Sequence, residues 1–202
     1  MKKSFLITKA AIAAAFCVMT SSFLSEMQVR ANTDEEGVIL GGRLIADMSD
    51  LKCDYFTDVQ AQYGERTMRG ATAWNSAMNP LLGFDMYWSR VFDGSTPTVS
   101  VYLCSLPNSN IKAVTYGYSN YGDWLTVDMT QSNWRHCEIY LNDDQNPSYV
   151  NITHEFGHVL GLGENNDDPY SIMCQESAGR VATKPAVVDI IALNRVYSGY
   201  ID

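Results

Sequence analysis

The stretch richest in chemistry is His154-Glu155-Phe156-Gly157-His158-Val159-Leu160-Gly161-Leu162-Gly163-Glu164. Two histidines four apart on a helix lie on one face, a turn from each other, so their imidazoles can converge on a single zinc ion. Glu155, one position after the first histidine, is rotated away from direct ligation. It can instead reach a water on the open side of the metal and take its proton. HExxH alone also fits a surface helix with two exposed histidines, but here the pattern uses two of only three histidines in the chain. The residues after His158 add constraints that a plain helix does not need. Gly161 permits a backbone conformation closed to residues with side chains, so the chain can leave the helix and turn back under the metal. Glu164, three residues on, then arrives as a third candidate ligand.

Other residues compete for that third position. Asp167 is the nearest substitute, and His136 is a remote one, at a strand edge. Glu176 stands 18 residues after His158 and would serve a different scheme, in which the third ligand is a Glu on a later helix. That scheme needs neither the Gly161 turn nor a methionine turn. Calcium is a second candidate ion around Asn142, Asp143 and Asp144 or around Asp167 and Asp168, where hard oxygen ligands cluster, although a solvated acidic turn explains those residues equally well.

These side chains need elements to carry them. From Asn151 the pattern is helical, with Thr153 or a nearby polar residue as its cap, and the run ends where Gly161 and Gly163 bracket Leu162. Val59, Tyr63, Ala71, Trp74 and Met78 share an apolar side and predict a helix over Thr57 to Met78, weakened by Gly64 and Gly70 and stopped by Asn79-Pro80. Strands are expected at Arg43 to Met48, Thr98 to Ser105, Lys112 to Ser119, Trp124 to Met129 and Cys137 to Asn142, most of them β-branched or aromatic and bounded by turn residues. The Tyr-rich segment Tyr116 to Tyr121 reads as half-buried strand and loop aromatics rather than a ligand platform. Lys184-Pro185 opens a last helix, with Val188, Ile191, Ala192, Arg195 and Val196 in helical period.

The sequence resembles the metzincin clan of zinc metallopeptidases, whose signature is HExxHxxGxxH or HExxHxxGxxD followed by a methionine-containing turn. It looks closest to matrixin-type catalytic domains. His154 to Gly163 fits their active-site helix and turn, and Asp168-Pro169-Tyr170-Ser171-Ile172-Met173 resembles their approach to the Met-turn. Ala71 to Phe84 and Val188 to Ser198 resemble their first and closing helices more loosely. The resemblance implies an α+β fold: a twisted, mainly parallel sheet packed on an active-site helix, with a small C-terminal subdomain holding the Met-turn and the closing helix. It also implies one catalytic zinc on His154 and His158, Glu155 as general base and then proton donor, Met173 beneath the metal, and a polypeptide as substrate. Where the family has His or Asp, this chain has Glu164. A carboxylate there lowers the formal charge of the site and weakens the acidification of water, so the pH optimum is expected to be higher than for a three-histidine site. Only His136 remains, too few for a second, structural zinc built largely from histidines, and no PRCGxPD-like inhibitory segment is present. The position two after Met173, where some metzincins place a Tyr, holds Gln175. A catalytically weak zinc-binding module acting in adhesion or protein binding is the alternative, and an intact Glu155 weighs against it.

Composition sets the bounds. The 202 residues are 46% hydrophobic and 18% charged, with net charge -9 and a pI near 4.7. This acidity argues against a protein built to grip nucleic acid or an anionic membrane, and no run reaches the roughly 18 apolar residues of a membrane span. Residues 1–31 read as a secretory signal peptide, with Lys2, Lys3 and Lys9, the apolar run Ala10 to Met19, and Val29-Arg30-Ala31 before the cut. Cleavage removes four of the 14 basic and one of the 23 acidic side chains, so residues 32–202 form a single, more acidic exported domain, expected to be monomeric. Cys17 leaves too. Cys53, Cys104, Cys137 and Cys174 remain, and in an exported protein they predict two disulfides of undetermined pairing.

Overall fold

A computed structural model describes residues 38–55, 57–78, 86–91, 95–107 and 109–198; the expected signal peptide, Asn79-Pro80 and part of the Ala71 to Phe84 stretch lie outside them. The protein is α+β, with a five-stranded sheet and three α-helices. The strands are β1 (Leu51–Tyr55), β2 (Trp88–Arg90), β3 (Val99–Cys104), β4 (Ala113–Tyr118) and β5 (His136–Asn142), in spatial order β2-β1-β3-β5-β4. All neighbours pair in parallel except β4, an antiparallel edge strand on β5. The helices are α1 (Thr57–Met78), α2 (Tyr149–Val159) and α3 (Val187–Tyr197).

Period-two alternation decides which face each strand residue serves. On β5, Cys137, Ile139 and Leu141 are fully buried, while Glu138 and Tyr140 on the other face are half-buried. The buried set packs toward α1 and α2, whose own contribution is Val59, Tyr63, Ala71, Trp74, Ile152, Phe156 and Val159. Within this core Trp88 and Phe156 meet edge to face, with centroids 5.0 Å apart. The Trp74 indole N–H donates to the Thr153 carbonyl at 2.9 Å, tying α1 to α2 across the core. The opposite face of the sheet carries Tyr102, Tyr118 and Tyr140, whose hydroxyls all donate to Glu138 at 3.4, 2.8 and 2.6 Å. The tyrosines of β4 therefore serve packing and hydrogen bonding; within the Tyr116 to Tyr121 segment, the well-exposed tyrosine is the loop residue Tyr121.

Several expectations are corrected. Arg43 to Met48 is not a strand: it makes one bridge, Leu44 to Trp134, and then Asp47 caps a 3-10 turn at Met48–Asp50. The first strand is the next segment, β1, and the short β2 went unread. Trp124 to Met129 pairs only through Thr126 and Val127 against the end of β4, leaving Trp124 and Leu125 exposed. Asp128 then turns the chain by accepting from the Thr130 amide and hydroxyl, so β propensity finds no partner strand to act on. The two expected disulfides are not seen: no pair among Cys53, Cys104, Cys137 and Cys174 lies at bonding distance, and three of the four are buried. Cys53 and Cys137 both align with Val99, on either side of β3. That places them two strand spacings apart, about 9.5 Å, beyond disulfide reach.

Candidate metal centre

Helix α2 begins earlier than expected, and Ser148 caps it instead of Thr153. The Ser148 hydroxyl accepts from the Asn151 amide while Asn151 Oδ1 accepts from the Ser148 amide, a reciprocal box that satisfies two orphan donors. Thr153 is buried and its hydroxyl donates back to the Tyr149 carbonyl. The C-terminal end is tied just as fully. Gly161 adopts φ 98°, its amide donates to the His158 carbonyl, and the Leu162 amide donates to Gly157. This is the Schellman arrangement. The next two carbonyls, of Val159 and Leu160, accept from the Trp134 indole and the Tyr197 hydroxyl. Beyond the turn, residues 38–40 run antiparallel to 161–163: the Leu40 amide donates to Gly161, and the Gly163 amide to Val38. The arm that leads to Glu164 is thereby clamped on its outer side.

The geometry brings His154, His158 and Glu164 together, with one potential ligand atom from each within 4.8 Å of the others. Among the described residues this is the one such group of His, Cys, Asp and Glu. The two Nε2 atoms are 3.1 Å apart, and Glu164 Oε1 lies 3.5 and 3.4 Å from them. Tetrahedral ligands at 2.0–2.1 Å from a shared zinc are separated by about 3.3 Å, so the three atoms already stand at that spacing. The histidines' other nitrogens settle which lone pairs face inward. His154 Nδ1 is 2.9 Å from the Ile172 carbonyl and His158 Nδ1 is 2.9 Å from the Leu162 carbonyl. A carbonyl only accepts, so each Nδ1 carries the hydrogen and each neutral ring turns a bare Nε2 lone pair to the centre. Glu164 adds an acceptor, its Oε2 is buried without a partner, and Gln175 Nε2 donates to its Oε1 at 3.2 Å. The donor set therefore fits a divalent cation.

In the metal-free chain a proton takes the cation's place. Burial alone would lower the His158 pKa, but the hydrogen bond and charge of Glu164, with the charge of Glu155, outweigh it and push it up to about 9. Burial works to raise the Glu164 pKa, yet the two imidazoles hold that carboxylate well below its ordinary range.

Glu155 stays outside the three-atom group. It is buried, and its Oε2 accepts from Thr115 Oγ1 of β4 at 2.7 Å, a contact from the edge strand that fixes the carboxylate's direction. Met173 lies under α2: a Cβ on Gly157 would collide with Met173 Sδ, so any side chain there would displace the methionine. The turn holding Met173 is built on Asp189 of α3. That buried carboxylate accepts from the Ser171 hydroxyl and from the amides of Ile172 and Ala186, the last two at 3.0 and 2.7 Å. Burial nonetheless pushes the Asp189 pKa up.

Of the competing residues, Asp167 is exposed and outside the three-residue group, and the others are engaged elsewhere. His136 is buried on β5 with Nδ1 3.0 Å from the Pro97 carbonyl, and Glu176 pairs with Lys112 and Asn151. Asn142 binds the backbone of Leu106 and Ile111, Asp143 accepts from Tyr63, and Asp144 from Ser105. Asp168 Oδ1 accepts from the Tyr170 amide. Sequence reasoning missed Thr115, Asp189 and the supporting part of Gln175. Only Asp189 carried a local signal, as an acid in the first turn of a helix opened by proline. The sequence matches no known protein-family model, and no curated protein matches it.

Proposed function

We propose that this chain is an exported, zinc-dependent endopeptidase with a metzincin-like catalytic domain of the matrixin type. The observation that carries the reading is the convergence of the two inward-facing Nε2 lone pairs and Glu164 Oε1 at the spacing of a tetrahedral site, with Glu155 buried beside it. His154, His158 and Glu164 would hold the ion, and zinc bound there supplies Lewis acidity that polarises a carbonyl and acidifies water.

The chain's own residues do the rest. The Thr115 hydroxyl holds the Glu155 carboxylate in one orientation, from which Glu155 takes the proton of the attacking water and later delivers it to the leaving amine. Ile172 and Leu162 carbonyls fix the imidazole tautomers, and Gln175 steadies Glu164. Met173 fills the space under α2 against Gly157, keeping both histidines at their height. A cleft of ≈ 590 Å³ opens directly on His154, Glu155 and Glu164, which favours an enzyme over a module that merely stores zinc.

Casein or gelatin cleavage by the secreted protein tests this. Activity should vanish with a chelator and return with zinc. Glu155→Gln should lose about 100-fold or more while keeping its zinc. A folded, zinc-loaded protein inert on every polypeptide would defeat the proposal.

A further inference from the structure

Away from the metal-binding atoms, the cleft runs between residues 110–113, which lead into β4, and the segment Gln175 to Arg180. Two cations line it, and their surroundings differ. Lys112 Nζ lies 2.9 Å from both carboxylate oxygens of Glu176, which also accepts from Asn151 at 3.0 Å. That pair is closed. Arg180 is half-buried, and its Nη1 meets only the carbonyls of Ile172 and Cys174, at 3.4 and 3.3 Å. No carboxylate lies within ion-pair distance of it among the described residues. Carbonyl oxygens accept hydrogen bonds without cancelling charge, so the guanidinium borders the cleft with no direct ion-pair partner and with donors to spare.

Resting on the peptidase reading, we propose that Arg180 is a specificity-determining residue that selects substrates with a carboxylate next to the scissile bond. The rest of the cleft agrees. Glu155, Glu164 and Glu176 face two cations there, so carboxylates outnumber cations in the lining. A divalent ion on the three ligands adds positive charge and turns the balance toward anions. Carboxylate recognition therefore requires the metal, whereas a cleft selecting aliphatic side chains would show no such dependence. The planar fork of Arg180 matches a carboxylate in two-point contact.

The test uses zinc-loaded protein and peptides identical except for Glu, Gln or Leu at each position flanking the cut, each with a free or an amidated C-terminus. Glu should exceed both Gln and Leu by about 10- to 100-fold in kcat/KM, from a charge-assisted hydrogen bond. If amidation alone removes the preference, the carboxylate recognised is the chain terminus rather than a side chain. Arg180→Met should collapse the Glu-to-Gln ratio toward one, and Arg180→Lys should restore part of it; Lys112→Met should keep the ratio. Because Arg180 also supports the turn carbonyls, zinc content of each variant is measured alongside. Binding of short peptides with an N-terminal Glu or Gln, followed calorimetrically with and without zinc, reads the same discrimination without turnover. Leu preferred by the wild type, or a ratio unchanged in Arg180→Met, would overturn the assignment. No cleavage of any peptide, with Glu-peptide binding still dependent on Arg180 and zinc, would defeat the peptidase reading and leave the carboxylate site standing.

Discussion

Glu138 and Glu164 are carboxylates at the centre of converging polar groups on opposite sides of one sheet, and their neighbours differ in a single respect. Around Glu138 stand three tyrosine hydroxyls, all donors. Burial and the adjacent carboxylate raise the pKa of each well above the usual phenol, so the donors keep their hydrogens. Around Glu164 stand two imidazole nitrogens whose hydrogens are committed to carbonyls on the far side of each ring. The first cluster is complete as it folds. The second consists of acceptors facing acceptors and is completed only by a cation or a proton. The difference separates a structural polar cluster from a binding one, without reference to any family.

Breaking the acceptor cluster should have the largest effect. His158→Ala is expected to weaken zinc binding by more than about 100-fold, measured by competition with a chromogenic chelator, while Tyr140→Phe leaves zinc affinity where it was. Asp189→Ala, which strips the turn under the metal of a buried acceptor with several donors, should lower unfolding free energy by about 3 kcal/mol in urea titration. The two clusters should next part company in pH. In metal-free protein the His158 pKa is raised to about 9 from an ordinary value near 6.5, so its contribution to stability is complete below about pH 6.5 and is lost as pH rises through 9. The melting temperature of stripped protein should fall across that window, and zinc should reverse the trend, because a bound ion favours deprotonated ligands. A flat profile for the stripped protein would remove the proton from the centre. The smallest effect is expected from Tyr140→Phe, about 1.5 kcal/mol of stability with no change in that pH profile.

Legibility in the sequence tracks the range of the forces involved. The α1 boundaries, the HExxH spacing and the Gly161 turn are local, and local periodicity or a positive φ reports them directly. Glu164 was readable because the helix end and the turn leave the chain only one short arm. Thr115 and Asp189 were not, because their roles arise from residues brought close by sheet register and by the docking of α3. Cys53 and Cys137 are kept apart for the same reason in reverse. Cysteine parity and an export signal are global cues, and strand order then placed Val99 between Cys53 and Cys137. The Trp124 to Met129 segment shows propensity overruled by geometry: it meets only Gly117 and Tyr118 at the end of β4 and then turns away at Asp128.

The clamp between residues 38–40 and 161–163 has a kinetic consequence. Gly161 and Gly163 would otherwise leave the Glu164 arm a floppy tether, and a third ligand on such a tether must be immobilised at the moment of capture. Here the immobilising partner lies near the other end of the described chain, so the contact is among the longest-range in the fold and should be among the last made. A nascent chain would therefore pass through a two-histidine stage that holds zinc loosely and exchanges it freely. Slow metal release would begin only once the amino-terminal stretch is zipped in place, which makes the off-rate of the ion a clock for the final step of folding.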